Sequence, residues 1–292
     1  YGYHRRTTSN IDRIAKEGVR FTNAFSQTSS THSSHLSIFT SRYPTRQWVH
    51  WEGNDMDVSV ETLTESLRRA GYFTAAFTGL SEVNENHRSL LASRPFQAFD
   101  QMIQGVSLHA LPGKLWSELV RHRHQPFFFF VHGFDAHGPP VLPLKYEATR
   151  FNPHYHGPLA STHFELWASA GSSPDELAQL LPFQRYSFEC TRHLEQLGAS
   201  DHVAAADLHH LLALYDAQLY YLDHGLEELF QALKNLNLME RTVLVILSDH
   251  GEAFGEHGLY AVHGRCYDED TRIVLIIRDP RLRRRRRTVR HI

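Results

Sequence analysis

Apolar residues recur at two distinct spacings along this chain, and the alternation between them outlines the fold. Ile11, Ile14 and Ala15 lie on one face of a helix predicted over Ile11 to Glu17, with capping side chains from Thr7-Thr8-Ser9-Asn10 and a left-handed stop at Gly18. Val19, Phe21, Ala24 and Phe25 then read as a strand running into the polar stretch Ser26 to Ser34. Leu36, Ile38 and Phe39 suit a second helix over Ser33 to Ser41, closed by Arg42-Tyr43-Pro44, with Thr31 at or just before its N-terminus.

The same rhythm continues downstream. Ser59 to Ala70 is predicted as a helix with Val60, Leu63 and Leu67 inward and Gly71 as its stop, followed by the strand Phe73 to Phe77 and the breaker Gly79. Phe127 to Val131 and Val243 to Leu247 are uninterrupted apolar runs that suit strands covered on both faces, as does Ile273 to Ile277. Between them, Leu208 through Leu233 keeps helical spacing for about seven turns at 3.6 residues per turn. Strands alternating with helices imply an α/β protein with a doubly wound, largely parallel central sheet and helices on both faces. Residues 144 to 205, rich in His, Ser, Pro and Glu with only a weak helical stretch from Pro182 to Leu197, interrupt the rhythm and read as an insertion or lid.

With 292 residues, 41% hydrophobic and 21% charged, the chain can bury a large core, and disorder is excluded. No apolar stretch approaches the roughly 18 residues needed to cross a bilayer. The net charge of −2 is unevenly spread: Arg278 to Arg290 holds eight arginines and one acid, against 22 basic and 31 acidic side chains upstream. The run Arg283 to Arg287 lacks aromatic interleaving and any groove-reading motif, so no specific nucleic-acid partner is expected. Cys190 and Cys266 lie too far apart in sequence for a disulfide framework or a thiolate zinc site, and leave the redox compartment open. A first residue of Tyr1 with no basic-then-apolar leader implies a cut or processed N-terminus, so localisation is undetermined.

In open α/β sheets, ligands bind beyond the carboxyl ends of strands. Three polar clusters occupy such places: Thr31 with His32 and His35; Asp135 with His137; and Asp249, His250, His257 and His263. Asp249 and His250, followed by Gly251, offer a carboxylate oxygen and an imidazole to a divalent cation, although an isolated pair of this kind is more often a helix cap and a polar surface residue.

Tyr1-Gly2-Tyr3, the run Thr8 to Gln27 (Thr-Ser-Asn-Ile-Asp-Arg-Ile-Ala-Lys-Glu-Gly-Val-Arg-Phe-Thr-Asn-Ala-Phe-Ser-Gln) and Thr40-Ser41-Arg42-Tyr43-Pro44 resemble the N-terminal half of the sulfatase family, within the alkaline phosphatase superfamily. Phe127 to Pro139, Tyr215 to Glu252 with its Ser-Asp-His-Gly-Glu strand end, Gly255-Glu256-His257-Gly258 and His263-Gly264 extend the resemblance across nearly the whole chain. The resemblance implies residues 1–292 as a catalytic domain truncated at both ends, the ligand-bearing strand before Tyr1 and the C-terminal region both missing. It implies one divalent metal ion, Ca, Mg, Mn or Zn, held by Asp249, His250 and Thr31, and an anionic sulfate- or phosphate-ester substrate. Thr31 takes the nucleophile position, His137 and His263 hold the anion and protonate the leaving group, and His35, Asp135 and His257 assist binding. His35 stands where sulfatases have the arginine of their motif, and His32 is peripheral.

Where sulfatases carry a Cys or Ser matured to formylglycine, this chain has Thr31, which cannot follow that route. A sulfated threonine has no second hydroxyl from which to eliminate sulfate, so a threonine suits direct attack, and phosphoryl transfer best. Relatives with threonine here include phosphoethanolamine and phosphoglycerol transferases. The expectation is therefore a metal-dependent ester hydrolase, with such a transferase or a catalytically inactive binding module as alternatives.

Overall fold

A computed structural model describes residues 1–44, 60–78, 96–101, 112–133, 135–138, 150–157, 205–282 and 287–289. Most of the 144–205 segment, with Cys190 and the helical stretch from Pro182 to Leu197, lies outside the described residues, as do Arg283 to Arg286.

Helix α1 (Ser9–Glu17) leads through Gly18 into β1 (Val19–Phe25), and α2 (Thr31–Thr40) follows after five residues. Then come α3 (Leu63–Arg69), β2 (Phe73–Thr78), β3 (Ala98–Gln101), α4 (Pro112–His122) and β4 (Phe127–His132). The long helix α5 (Ala205–Asn235) precedes β5 (Leu244–Leu247), the ribbon β6 (Ala253–Phe254) and β7 (Tyr260–Val262), the short α6 (Asp268–Thr271), β8 (Arg272–Arg278) and β9 (Arg287–Val289).

The hydrogen-bonded strands form a four-stranded set in the order β5-β8-β1-β9 and a three-stranded set in the order β3-β2-β4. The α/β class holds, and β3, β2 and β4 run parallel as expected. In the first set only β1 and β9 are parallel; β8 runs against both β1 and β5. The reason is local: β8 starts directly from the short α6, with no crossover helix to turn the chain back in the parallel sense.

One apolar core ties the layers together, with Ile14 of α1, Phe77 of β2, Leu119 of α4, Phe230 of α5 and Ile276 of β8 in a single cluster. Ile276 is fully packed, and Ile276→Val should cost about 1 kcal/mol in a denaturant melt, the usual penalty for a buried methylene; an unchanged midpoint would mean that this junction is not packed as described.

Four local expectations need correction. Gly18 is extended, not left-handed; it is glycine because a Cβ there would sit 2.4 Å from the Ile277 carbonyl oxygen of β8. Helix α1 receives no cap from the Thr8 side chain, and instead the amides of Asn10 and Ile11 donate to the Asp223 carboxylate on α5. Leu63 begins α3 but is 43% exposed, the inward position falling to Val60 before it. Finally, β5 lies at the edge among the described strands and has one open face, leaving Val245 52% and Leu247 37% exposed, so an apolar run here does not mean burial on both sides.

Candidate functional site

Three chain segments reach the same end of the sheets. β1 delivers the polar loop that starts α2 at Thr31, β4 ends on His132, and β5 ends just before Ser248-Asp249-His250-Gly251-Glu252. The Ser34 hydroxyl donates to the Asp249 carbonyl at 2.6 Å, pinning the first turn of α2 to the strand end. Gly251 lets the strand end lie against α6: its amide donates to the Asp270 carbonyl at 2.7 Å, and a Cβ there would meet the Glu269 carbonyl oxygen at 1.9 Å.

The Thr31 Oγ1 lies 3.0 Å from Nε2 of His250. His250 Nδ1 is 2.8 Å from the Gly251 carbonyl, an acceptor only, so Nδ1 bears the proton of the neutral ring and Nε2 presents its lone pair to the Thr31 hydroxyl. Asp249 Oδ2 stands 3.5 Å from the same Nε2, buried and without a hydrogen-bond partner. Thr31, Asp249 and His250 are thus together.

His137 and His263 join them. The His250 and His263 rings are 4.0 Å apart at their centroids, and His137 lies 5.0 Å from His263 and 6.5 Å from His250. Glu252, a residue to which sequence reasoning assigned no role, organises this group: one carboxylate oxygen is 3.2 Å from His263 Nδ1 and the other accepts the Gly138 amide at 2.8 Å. Its position two residues after His250, just beyond the apolar strand β5, was the available signal. Gln218 on α5 donates to the His137 carbonyl at 3.5 Å, and Asp216 on the same helix holds Tyr3 and Arg5, tying the N-terminal segment to the back of the site.

The remaining candidates divide. His35, 3% exposed on the second turn of α2, packs edge-on against His132 with ring centroids 4.8 Å apart. Asp135 lies between β4 and His137, partly buried. His257 is elsewhere: it pairs with Glu269 at 3.0 Å and stacks on Tyr267, half-exposed beside the β6–β7 ribbon. Cys266 is a free, exposed thiol.

Electrostatics separate the imidazoles. Burial, reinforced by His263, lowers His137 to about 4, and burial with His35 nearby lowers His132 to about 3. Burial also lowers His35. Burial pulls His263 down too, but the hydrogen bond and charge of Glu252 outweigh it and hold His263 above the ordinary value. Asp249 is pushed up by burial and pulled down more strongly by His35, His250 and His132, ending below the ordinary carboxylate range. As pH falls through 6.5 the unfolded chain takes up a proton that folded His137 refuses until about 4, so acidification destabilises the fold. That single group removes about 2 kcal/mol at pH 5, partly offset where His263 gains a proton. Thermal melts between pH 7 and 4.5 should show a falling midpoint, with a shallower slope in His137→Gln; equal slopes would mean that His137 is not buried as a neutral ring.

Among the described residues, one group of three could hold a metal ion, His35, His132 and Asp249, whose ligand atoms lie within 4.8 Å of one another. No helix among the described residues is long and apolar enough to cross a membrane.

The family model described as Sulfatase matches residues 1–291. Among curated proteins, the chain is 24% identical over 323 residues to the uncharacterized sulfatase YidJ of Escherichia coli (strain K12), covering 95% of this chain and 59% of that protein. It is 23% identical to iduronate 2-sulfatase of Mus musculus, covering 96% and 56% respectively, so it spans somewhat over half the length of these relatives. Among solved structures, the phosphonate monoester hydrolase of Agrobacterium radiobacter superposes with a TM-score of 0.69 at 19% identity, over 99% of this chain and 67% of that one. BT4656, solved with its substrate D-glucosamine-2-N,6-O-disulfate, gives 0.67 at 18% identity over 94% and 66%. With the family pattern matched from end to end and the strand-end acid, imidazoles and Thr31 brought together in one α/β fold, the chain belongs to the sulfatase family.

Proposed function

We propose that this chain is the catalytic part of an ester hydrolase acting on sulfuric or phosphoric esters through a covalent intermediate on Thr31. The observation that supports this reading best is the 3.0 Å contact of the Thr31 hydroxyl with His250 Nε2, on a ring whose other nitrogen is committed to Gly251. An alcohol is a poor nucleophile until a positioned base takes its proton, and His250 Nε2 is that base. As Thr31 Oγ1 bonds to the phosphorus or sulfur, its proton passes to His250 and the ester oxygen departs. His263, oriented by Glu252 and disposed by it to stay protonated, donates the proton that the leaving oxygen needs. His137, kept neutral by burial, and the N-terminal amides of α2 hold the remaining anion oxygens, with Asp135 two residues before His137, while His35, buried on the second turn of α2, lies too deep to touch the substrate. Water then releases the anion from Thr31. His257 binds substrate in this reading only from the rim, where it pairs with Glu269.

The donors at the site fit a divalent cation, because Asp249 Oδ2 is buried without a partner beside His250 and Thr31. Asp249, His250 and Thr31 would hold it, whether Ca, Mg, Mn or Zn, with the His250 Nε2 lone pair given to the cation in place of the Thr31 proton, and it would supply the Lewis acidity that loosens that proton and the charge neutralisation of the anion.

Phosphoryl esters are the better substrates, for the reason given above: a threonine ester can be hydrolysed only by attack at the central atom. The test is a panel of aryl phosphates and aryl sulfates with added divalent metal, quenched in acid and mapped by peptide mass spectrometry. A phosphorylated Thr31 peptide is expected. A labelled peptide discharged only to an added alcohol would indicate a transferase, and anion binding with neither label nor turnover would indicate a binding module.

A further inference from the structure

Asp249 stands between two sets of donors, Thr31 with His250 on one side and His35 with His132 on the other, and the proposed reaction uses only the first. His35 Nδ1 and Asp249 Oδ2 are buried with no hydrogen-bond partner, and a buried orphan of this kind costs about 1–3 kcal/mol unless something satisfies it. His35, His132 and Asp249 each bring a ligand atom within 4.8 Å of the others, on the side of Asp249 where α2 packs against the end of β4. His250, by contrast, spends its Nε2 lone pair on Thr31.

We propose that His35 and His132, with Asp249, are the ligands of a transition-metal ion of the Zn²⁺ class, set behind the Thr31–His250 pair. The β2–β4 register supports it. Thr78 lies opposite His132, and its hydroxyl oxygen is 3.3 Å from His132 Nδ1; in the tautomer in which Nδ1–H donates to that oxygen, Nε2 carries the lone pair and the ring is fixed, as a second partner does for a metal-bound imidazole. The helical position of His35, one turn after Thr31, brings its ring to the same point from α2. Two imidazoles and one carboxylate suit zinc and its neighbours, whereas Ca²⁺ and Mg²⁺ prefer oxygen alone. A Zn²⁺ ion binds with short bonds of about 2.0–2.2 Å, so the widest pair must close by about 1 Å, within reach of side-chain rotation. The inference shares Asp249 with the proposed reaction but needs neither Thr31 nor turnover.

The test loads the metal-free 292-residue chain with one equivalent of Zn²⁺ and counts imidazole ligands by X-ray absorption at the zinc edge, alongside competition with Ca²⁺. Two imidazoles are expected in the wild type and still two in His250→Gln, falling in His35→Gln and His132→Gln, where affinity drops at least about tenfold. Zn²⁺ should bind at least about a hundredfold more tightly than Ca²⁺. If either variant fails to fold, the wild-type and His250→Gln counts decide. One imidazole or none in the wild type, a count unchanged in both His35→Gln and His132→Gln, or a preference for Ca²⁺ would overturn the proposal. Two imidazoles with an unlabelled Thr31 would leave it standing while the proposed reaction fails, and a single imidazole with a labelled Thr31 would do the reverse.

Discussion

Thr31→Ala is expected to lower turnover of the best phosphate ester by at least about a thousandfold, the scale seen when a covalent nucleophile is removed from a site that still binds substrate. Binding should persist, because the amides of α2 and the His137–His263 group are untouched, so KM changes little while kcat collapses. Thr31→Ser keeps the oxygen and its distance to His250 and should retain most activity. The Thr31 side chain is only partly buried at the start of a helix whose N-cap is Ser30, so the alanine variant should fold. A Thr31→Ala protein with wild-type kcat would place the nucleophile elsewhere.

Gly251→Ala should damage both stability and activity. A Cβ at this position would lie 1.9 Å from the Glu269 carbonyl oxygen and 3.1 Å from that of Arg272, and both are backbone atoms that no rotamer change can move aside. Separating Gly251 from α6 breaks its 2.7 Å amide bond to Asp270. It also shifts the carbonyl that holds the His250 Nδ1 proton. Overpacking of this kind costs about 3 kcal/mol or more. In folded protein the misplaced His250 should lower kcat by about a hundredfold, the usual size of a positioned general base. Denaturant melts and turnover at a temperature where the variant is folded measure the two separately. A variant as stable as the wild type would mean that the strand end can yield where it is drawn tight.

Local pattern was enough for the elements. The period of Leu208 to Leu233 gave helix α5, and the runs beginning at Phe127, Val243 and Ile273 gave strands, because periodicity reports which faces meet a core. It did not report how many faces: Val245 and Leu247 are apolar yet half-open, since among the described residues that face of β5 is left uncovered, and no local feature of the chain tells a strand covered on one face from one covered on both. Nor could spacing show that Gly18 is needed for contact with β8, some 260 residues away, in place of the left-handed turn that a glycine after a helix suggests.

For the site, sequence alone determined the residue types and their order: a threonine at a helix start, an acid and an imidazole after a strand, and further histidines beyond glycines. Strand ends and helix starts are local features, so the chemistry at them is legible. Which of the 22 histidines converge was decided by the tertiary structure. It gathers His137, His250 and His263 around Glu252, sends His257 to the rim with Glu269, and turns His35 and His132 inward onto Asp249. The physical reason is that convergence depends on how sheets and helices separated by a hundred or more residues are packed. The roles of these rings depend on how deeply that packing buries them and on which carboxylate it sets beside each one.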